Sequence, residues 1–167
     1  MLSEFFKSKR EKPSNKYELW DLFDKGRLPV GKTHLSVNPL PEGCYSLKVL
    51  VLVKSTNNEL LLVKPTSSND LWSGIGGTVV AGESSLNGAC RKLMENGIRR
   101  KKEELKFLKA VCSHHSFVDC YELKTAVFDD EIKLRKAEFE EFKWVELDKI
   151  HEFNLSDELL RAIEKLR

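Results

Sequence analysis

The sequence predicts an α/β domain, a mixed sheet sandwiched between helices, and three observations lead there. Apolar, β-branched runs of strand length recur along the chain, a glycine cluster feeds an amphipathic helix near its middle, and a second amphipathic helix covers residues 156–167. The 167 residues are about one average domain, long enough to bury a core without disulfides or structural metal. With 41% hydrophobic and 32% charged residues, the composition is that of a folded globular chain, not a disordered one.

Residues 1–16 are polar, lysine-rich and broken at Pro13, and read as a flexible arm, leaving residues 17–167 as a single domain. Residues 17–23 alternate as a strand and end at Lys25-Gly26. Residues 28–30 would return as its partner, making an N-terminal hairpin. Residues 47–53 are almost continuously apolar, as expected of a strand buried on both faces, and Asn57-Asn58 turns the chain into a partner at 59–63. A polar loop then leads to Leu71-Trp72 and the glycines Gly74, Gly76 and Gly77.

Ser84 or Ser85 can cap the central helix, predicted over 84–96. Leu86, Ala89, Cys90, Leu93 and Met94 form its apolar stripe, and Gly97 is its stop. Gly88 inside it should cost about 1 kcal/mol relative to alanine. Later strands are predicted at 107–112, 117–128 and 142–146. In the last helix Asp157 and Glu158 sit favourably in the first turn.

The net charge of +2 is too small to imply a nucleic-acid partner, although residues 91–109 carry net +5 and residues 129–167 net −4. No apolar run approaches the ~18 residues of a membrane span, and no signal peptide is evident. Cys44, Cys90, Cys112 and Cys120 follow no disulfide or C-x-x-C pattern, so reduced thiols in the cytoplasm are expected. Cys112, His114, His115 and Cys120 do not have a usual zinc spacing. The run Arg99-Arg100-Lys101-Lys102 reads as a solvated loop. Trp20, near the domain entrance, is the aromatic best suited to stack on a base.

The segment GTVVAGESSLNGACRKLMENGI, residues 77–98, resembles the Nudix signature. Gly77, Glu83 and Arg91 match its glycine, glutamate and arginine without a gap, and Leu93, Glu95, Gly97 and Ile98 continue it with one residue missing before Gly97. Residues 71–72, 76–77 and 81–86 resemble the approach to that box, and residues 142–150 resemble the strand and turn that end the Nudix core. Residues 18–23, 31–34 and 41–43 look like a subgroup related to isopentenyl diphosphate isomerase. The resemblance implies the Nudix α/β/α sandwich and hydrolysis of a nucleoside diphosphate linked to another moiety.

In that family, glutamates at i, i+3 and i+4 on one helix face bind Mg²⁺ or Mn²⁺, which neutralises a diphosphate and activates water. Here those positions are Lys92, Glu95 and Asn96, so the formal charge falls from −3 to zero. If the missing residue is absorbed earlier, Glu95 is the last glutamate and Met94 stands beside it. Either register leaves one helix glutamate. By resemblance, the catalytic residues are Glu95 and Glu83, the metal ligands Glu83, Glu95 and Glu138, and the ligand-binding residues Gly76, Gly77 and Arg91. Lys92, which departs from the family pattern, and Trp20, by its aromatic ring, join the expected ligand-binding residues. The ammonium of Lys92 has two readings: a weakly stabilising surface i,i+3 contact with Glu95, or a cation that fills part of the metal site and reaches a phosphate directly. Two readings stay open: a hydrolase with reduced or lost activity, using Mg²⁺ or Mn²⁺ if active, or a binding module for a ligand or partner that needs no ion. The expected partner is a small-molecule diphosphate, with neither nucleic acid nor membrane, and the oligomeric state is unset. An isomerase is rejected because Gly76-Gly77-Thr78 stands where those enzymes carry a catalytic Cys-Gly-His.

Overall fold

The structure is a computed structural model that describes residues 18–166, so the arm expected at residues 1–16 lies outside the described residues. A two-stranded ribbon, β1 (Leu19–Phe23) and β2 (Pro29–Leu35), precedes the main body. The second strand is longer than its sequence suggests, because pairing with β1 from Leu19↔Leu35 onward carries Gly31 and Lys32 along. The six-stranded sheet holds β3 (Ser46–Lys54), β4 (Glu59–Pro65), β5 (Ile75–Thr78), β6 (Leu105–Ser113), β7 (Ser116–Lys124) and β8 (Phe139–Glu146). Two α-helices are described, α1 (Ser85–Glu95) and α2 (Asp157–Ile163).

The sheet runs β6-β7-β3-β4-β8, with β5 also on β3. It is mixed because β3 and β7 are parallel, in register from Ser46↔Ser116 to Lys54↔Lys124. On its other edge β3 meets β4 beside the turn, at Lys54↔Leu60, and β5 takes over that edge from Lys48↔Thr78 to Val51↔Ile75. β4 swings away to pair with β8. Strand alternation divides the core in two: Val49, Val51 and Val53 pack with Ala89 and Leu93 of α1, while Leu50 and Leu52 pack with Leu159, Ala162 and Ile163 of α2. The predicted α/β/α sandwich is the observed fold.

Several boundaries move. Gly76 and Gly77 sit in a strand, β5, because β3 offers them an edge to pair with. β7 ends at Lys124, and Phe128, assigned to it from sequence, is exposed. Met94 is 50% exposed and not part of the buried stripe. The backbone amide of Asn87 donates to the Ser84 hydroxyl at 3.1 Å, starting α1, and Gly97 at φ 88° ends it. The last helix stops at Ile163, shorter than its apolar spacing suggests.

The ribbon is tied to the body by charge as well as backbone. Ala81 N–H donates to the Leu19 carbonyl, and Gly82 N–H to the Asp21 carboxylate, both at 2.8 Å. From the β1–β2 turn, the Arg27 guanidinium makes a two-pronged contact with Asp119 on β7, at 2.7 and 2.6 Å. The Asp119 side chain is 6% exposed, so its charge depends on that partner. Arg27→Ala should therefore cost about 2 kcal/mol or more in urea unfolding. Lys149→Ala, which removes an exposed i,i+3 contact with Glu146, should cost less than about 0.5 kcal/mol.

Candidate functional site

The glycine loop, helix α1 and the segment before β8 converge on six charged side chains. The loop turns at Val80–Glu83, where the Glu83 amide donates to the Val80 carbonyl at 3.1 Å. Gly88, which sequence alone treats as a weak point of α1, has a packing reason: a β-carbon there would lie 2.9 Å from Glu83 Oε1. Arg91 closes on Glu83 through Nε at 2.8 Å and Nη2 at 3.0 Å, and Nη2 also donates to the Thr78 carbonyl at 3.1 Å. Its Nη1 donates to Glu95 Oε1 at 2.9 Å. The hydrogen bond with Glu83 leads the influences that raise the Arg91 pKa, outweighing burial.

Lys92 points inward and is fully buried, with 0% of its side chain exposed. Its stem lies against Gly77, where a β-carbon would be 2.3 Å from Lys92 Cε, so β5 needs glycine there to admit the lysine. Nζ donates to Glu138 Oε1 at 2.9 Å and to Glu95 Oε2 at 3.2 Å. Arg135 completes the group, with Nη1 3.2 Å from Glu95 Oε2. Three cations, Arg91, Lys92 and Arg135, thus interlock with three carboxylates, Glu83, Glu95 and Glu138, and the cluster is formally neutral. Burial would raise the Glu95 carboxyl, but the Lys92 charge and the hydrogen bonds from Arg91 and Lys92 hold it below its usual 4.5.

A divalent ion does not fit this donor set. Mg²⁺ takes oxygens at ~2.0–2.1 Å in an octahedron. Here an ammonium sits between the carboxylates of Glu95 and Glu138, and Glu83 is held by a guanidinium. Asn96 cannot help: it is buried, its Nδ2 donates to the Lys92 carbonyl and its Oδ1 accepts from the Arg135 amide, both at 2.8 Å. It is a clasp between the helix end and the segment that carries Arg135 and Glu138. Met94 faces solvent, so the second register supplies no ligand either. Among the described residues no three His, Cys, Asp or Glu side chains are grouped to hold a metal ion. The 112–120 cysteines and histidines do not meet: Cys120 is buried facing α2, its thiol pushed up to about 12 by burial, and Cys112 is exposed.

Where β4 leaves β3, a cleft of about 420 Å³ opens, with Lys48, Thr66, Gly76, Thr78, Glu138 and Glu158 in its lining. Gly76, Gly77 and Glu138 of the expected site are therefore in the cleft wall, and Glu83, Arg91, Lys92 and Glu95 stand behind it. Lys92 has no exposed side-chain surface, and its ammonium meets both Glu95 and Glu138 rather than making a surface i,i+3 contact alone. Trp20 lies outside the cleft lining; its ring faces His34, and Nε1 donates to Glu18 Oε2 at 3.2 Å. Arg100, from the basic run, pairs with Glu131 at 3.0 Å. Arg135 was not picked out from sequence, and its position three residues before Glu138 was its one available signal.

The family described as NUDIX domain matches residues 45–166. The chain belongs to the Nudix family. It is 26% identical over 152 residues to an uncharacterized Nudix hydrolase of Listeria monocytogenes, covering 86% of this chain and 88% of that protein. Protein DR0079 of Deinococcus radiodurans has a similar fold, with a TM-score of 0.67 at 18% identity over 90% of this chain and 100% of that one. The NUDIX domain of Shewanella oneidensis NrtR, solved with ADP ribose, gives 0.61 at 22% identity over 74% of this chain and 86% of its own. The family match spans the glycine loop, helix α1 and Lys92.

The pH dependence of stability tests the cluster. Because the folded Glu95 carboxyl titrates below 4.5, its contribution is fully present above that pH and is lost as pH falls through the depressed value. In Lys92→Met the largest offset to burial is gone while the Arg91 and Arg135 contacts remain, so the carboxyl should titrate higher than in the wild type and contribute less that acid can remove. Urea midpoints at pH 5.5, 4 and 3 should fall more steeply with acid in the wild type than in the variant. Parallel profiles would remove Lys92 as the cause.

Proposed function

We propose that this Nudix protein is of the pyrophosphohydrolase class, that it binds a nucleoside diphosphate linked to another moiety in the cleft beside Glu138, and that its hydrolysis is reduced or lost. The observation that carries the reading is the Lys92 ammonium, 2.9 Å from Glu138 and 3.2 Å from Glu95, where the family's chemistry calls for Mg²⁺ or Mn²⁺. A cleft of about 420 Å³ suits a small molecule. The complex of the NrtR domain with ADP ribose supports this ligand class. The same lysine favours the second reading, a non-catalytic binding module that needs no ion. Glu95 and Glu83, the proposed catalytic pair, would act only after leaving their cationic partners.

The isomerase-like character of the opening segment is carried no further than kinship, since Gly76-Gly77-Thr78 offers no thiol or imidazole for proton transfer. No helix among the described residues is long and apolar enough to cross a membrane, and four free thiols suit the reducing cytoplasm we propose.

Calorimetric titration with Mn²⁺ and Mg²⁺, joined to release of the nucleoside monophosphate (AMP from ADP ribose) from ADP ribose and related nucleotides, tests the reading. Wild type should bind neither ion measurably and release AMP at background rate. Lys92→Glu, which replaces the cation with a carboxylate, should bind Mn²⁺ at least roughly tenfold more tightly than wild type. Brisk metal-dependent turnover by wild type, with no gain in the variant, would overturn the proposal.

A further inference from the structure

The geometry points to Lys48 as the anchor for the ligand's diphosphate, contacting it directly on the face of the sheet opposite helix α1. This inference rests on the proposed cleft reading and names the residue that holds the anion within it.

β3 is the central strand, hydrogen-bonded on both edges, and eight of its nine residues are buried or half-buried. The exposed one is Lys48, and it opens into the cleft. Cross-strand partners share a face, so Lys48 stands in a row with Thr78 on β5 and Val118 on β7. That row lies on the α2 side, with Leu50, whereas Gly77 and Lys92 lie on the other side. The register-mate of Leu50 on β5 is Gly76, which leaves the floor beside Lys48 bare.

The neighbouring cations are already engaged. Arg91 holds Glu83 and Glu95, Lys92 is sealed between Glu95 and Glu138, Arg135 sits on Glu95, and Lys64 lies 3.1 Å from Asp70 and 3.5 Å from Glu140. Among the described residues the Lys48 side chain has no hydrogen bond or ion pair. The other charged groups of the lining are Glu138, compensated by Lys92, and Glu158, whose Oε1 accepts from the Ser113 hydroxyl at 2.7 Å. An anion entering the cleft therefore meets one uncompensated cation, with the Thr78 hydroxyl in the same row. The Glu158 carboxylate in the same lining suits hydroxyl donors. A diphosphate joined to a sugar carries both kinds of group.

The test is calorimetry in EDTA with ADP ribose, inorganic diphosphate and adenosine, on wild type, Lys48→Ala and Lys48→Arg. A charge-assisted contact predicts that Lys48→Ala weakens ADP ribose and diphosphate roughly tenfold or more, while Lys48→Arg keeps most of the affinity and adenosine is indifferent to both. Position 48 is exposed, so both variants should fold, and their urea midpoints check it. If wild type binds ADP ribose and Lys48→Ala binds it equally well, the anchor assignment is overturned and the cleft reading stands. If wild type binds neither ADP ribose nor diphosphate, both fall together.

Discussion

A buried ammonium held between two carboxylates is the constraint around which this molecule is arranged. Taking a lysine wholly out of water costs several kcal/mol unless its hydrogen bonds are made inside, and a single partner seldom suffices. Lys92 finds Glu95 one turn ahead on its own helix and Glu138 from a segment 46 residues away. Each partner must in turn be delivered. Gly77 clears the path for the stem, Arg91 and Arg135 hold Glu95 from either side, and the Asn96 amide binds the helix end to the backbone that leads to Glu138. These elements depend on one another, so the signature loop, the helix and the approach to β8 behave as one electrostatic unit.

That unit separates two tasks that a bound metal would combine, neutralising carboxylates and attracting a polyanion. The cluster performs the first internally and, being neutral, exerts little pull on a diphosphate beyond its own wall. On the proposed ligand reading, attraction comes from elsewhere in the cleft, from the lysine that the central strand presents on the opposite face of the sheet. The charge cluster and that lysine lie on either side of β3, one facing α1 and the other α2, and Glu138 belongs to both the cluster and the cleft lining.

Much of this was legible in the sequence, for identifiable reasons. The apolar run of β3, the Ser84 cap and the Gly97 stop are local signals that tertiary packing did not override. β5 was hidden because Gly76 and Gly77 have weak strand preference, and only the edge of β3 makes them a strand. Met94 obeyed helical spacing yet faces solvent, since the core beneath α1 is filled by Ala89 and Leu93. The substitution at Lys92 was plain, but its burial was not, because the space comes from a missing side chain at Gly77. Arg135 and Asn96 meet across 39 positions, a distance at which no periodicity helps. Lys48 had a signal of its own, one charge inside an apolar strand, which the strand assignment absorbed.

The parallel pairing of β3 with β7 has a consequence for how the chain is made. Residues 46–54 find their neighbours at 116–124, some seventy positions later, and the hairpin with β4 satisfies β3 only beside its turn. During synthesis the most apolar strand of the protein leaves the ribosome with one whole edge and part of its hydrophobic surface unclaimed. Closing so long a loop before any contact rewards it makes this pairing a slow, late event. Until then, the exposed edge is a template for pairing with another chain, a liability the finished sheet conceals.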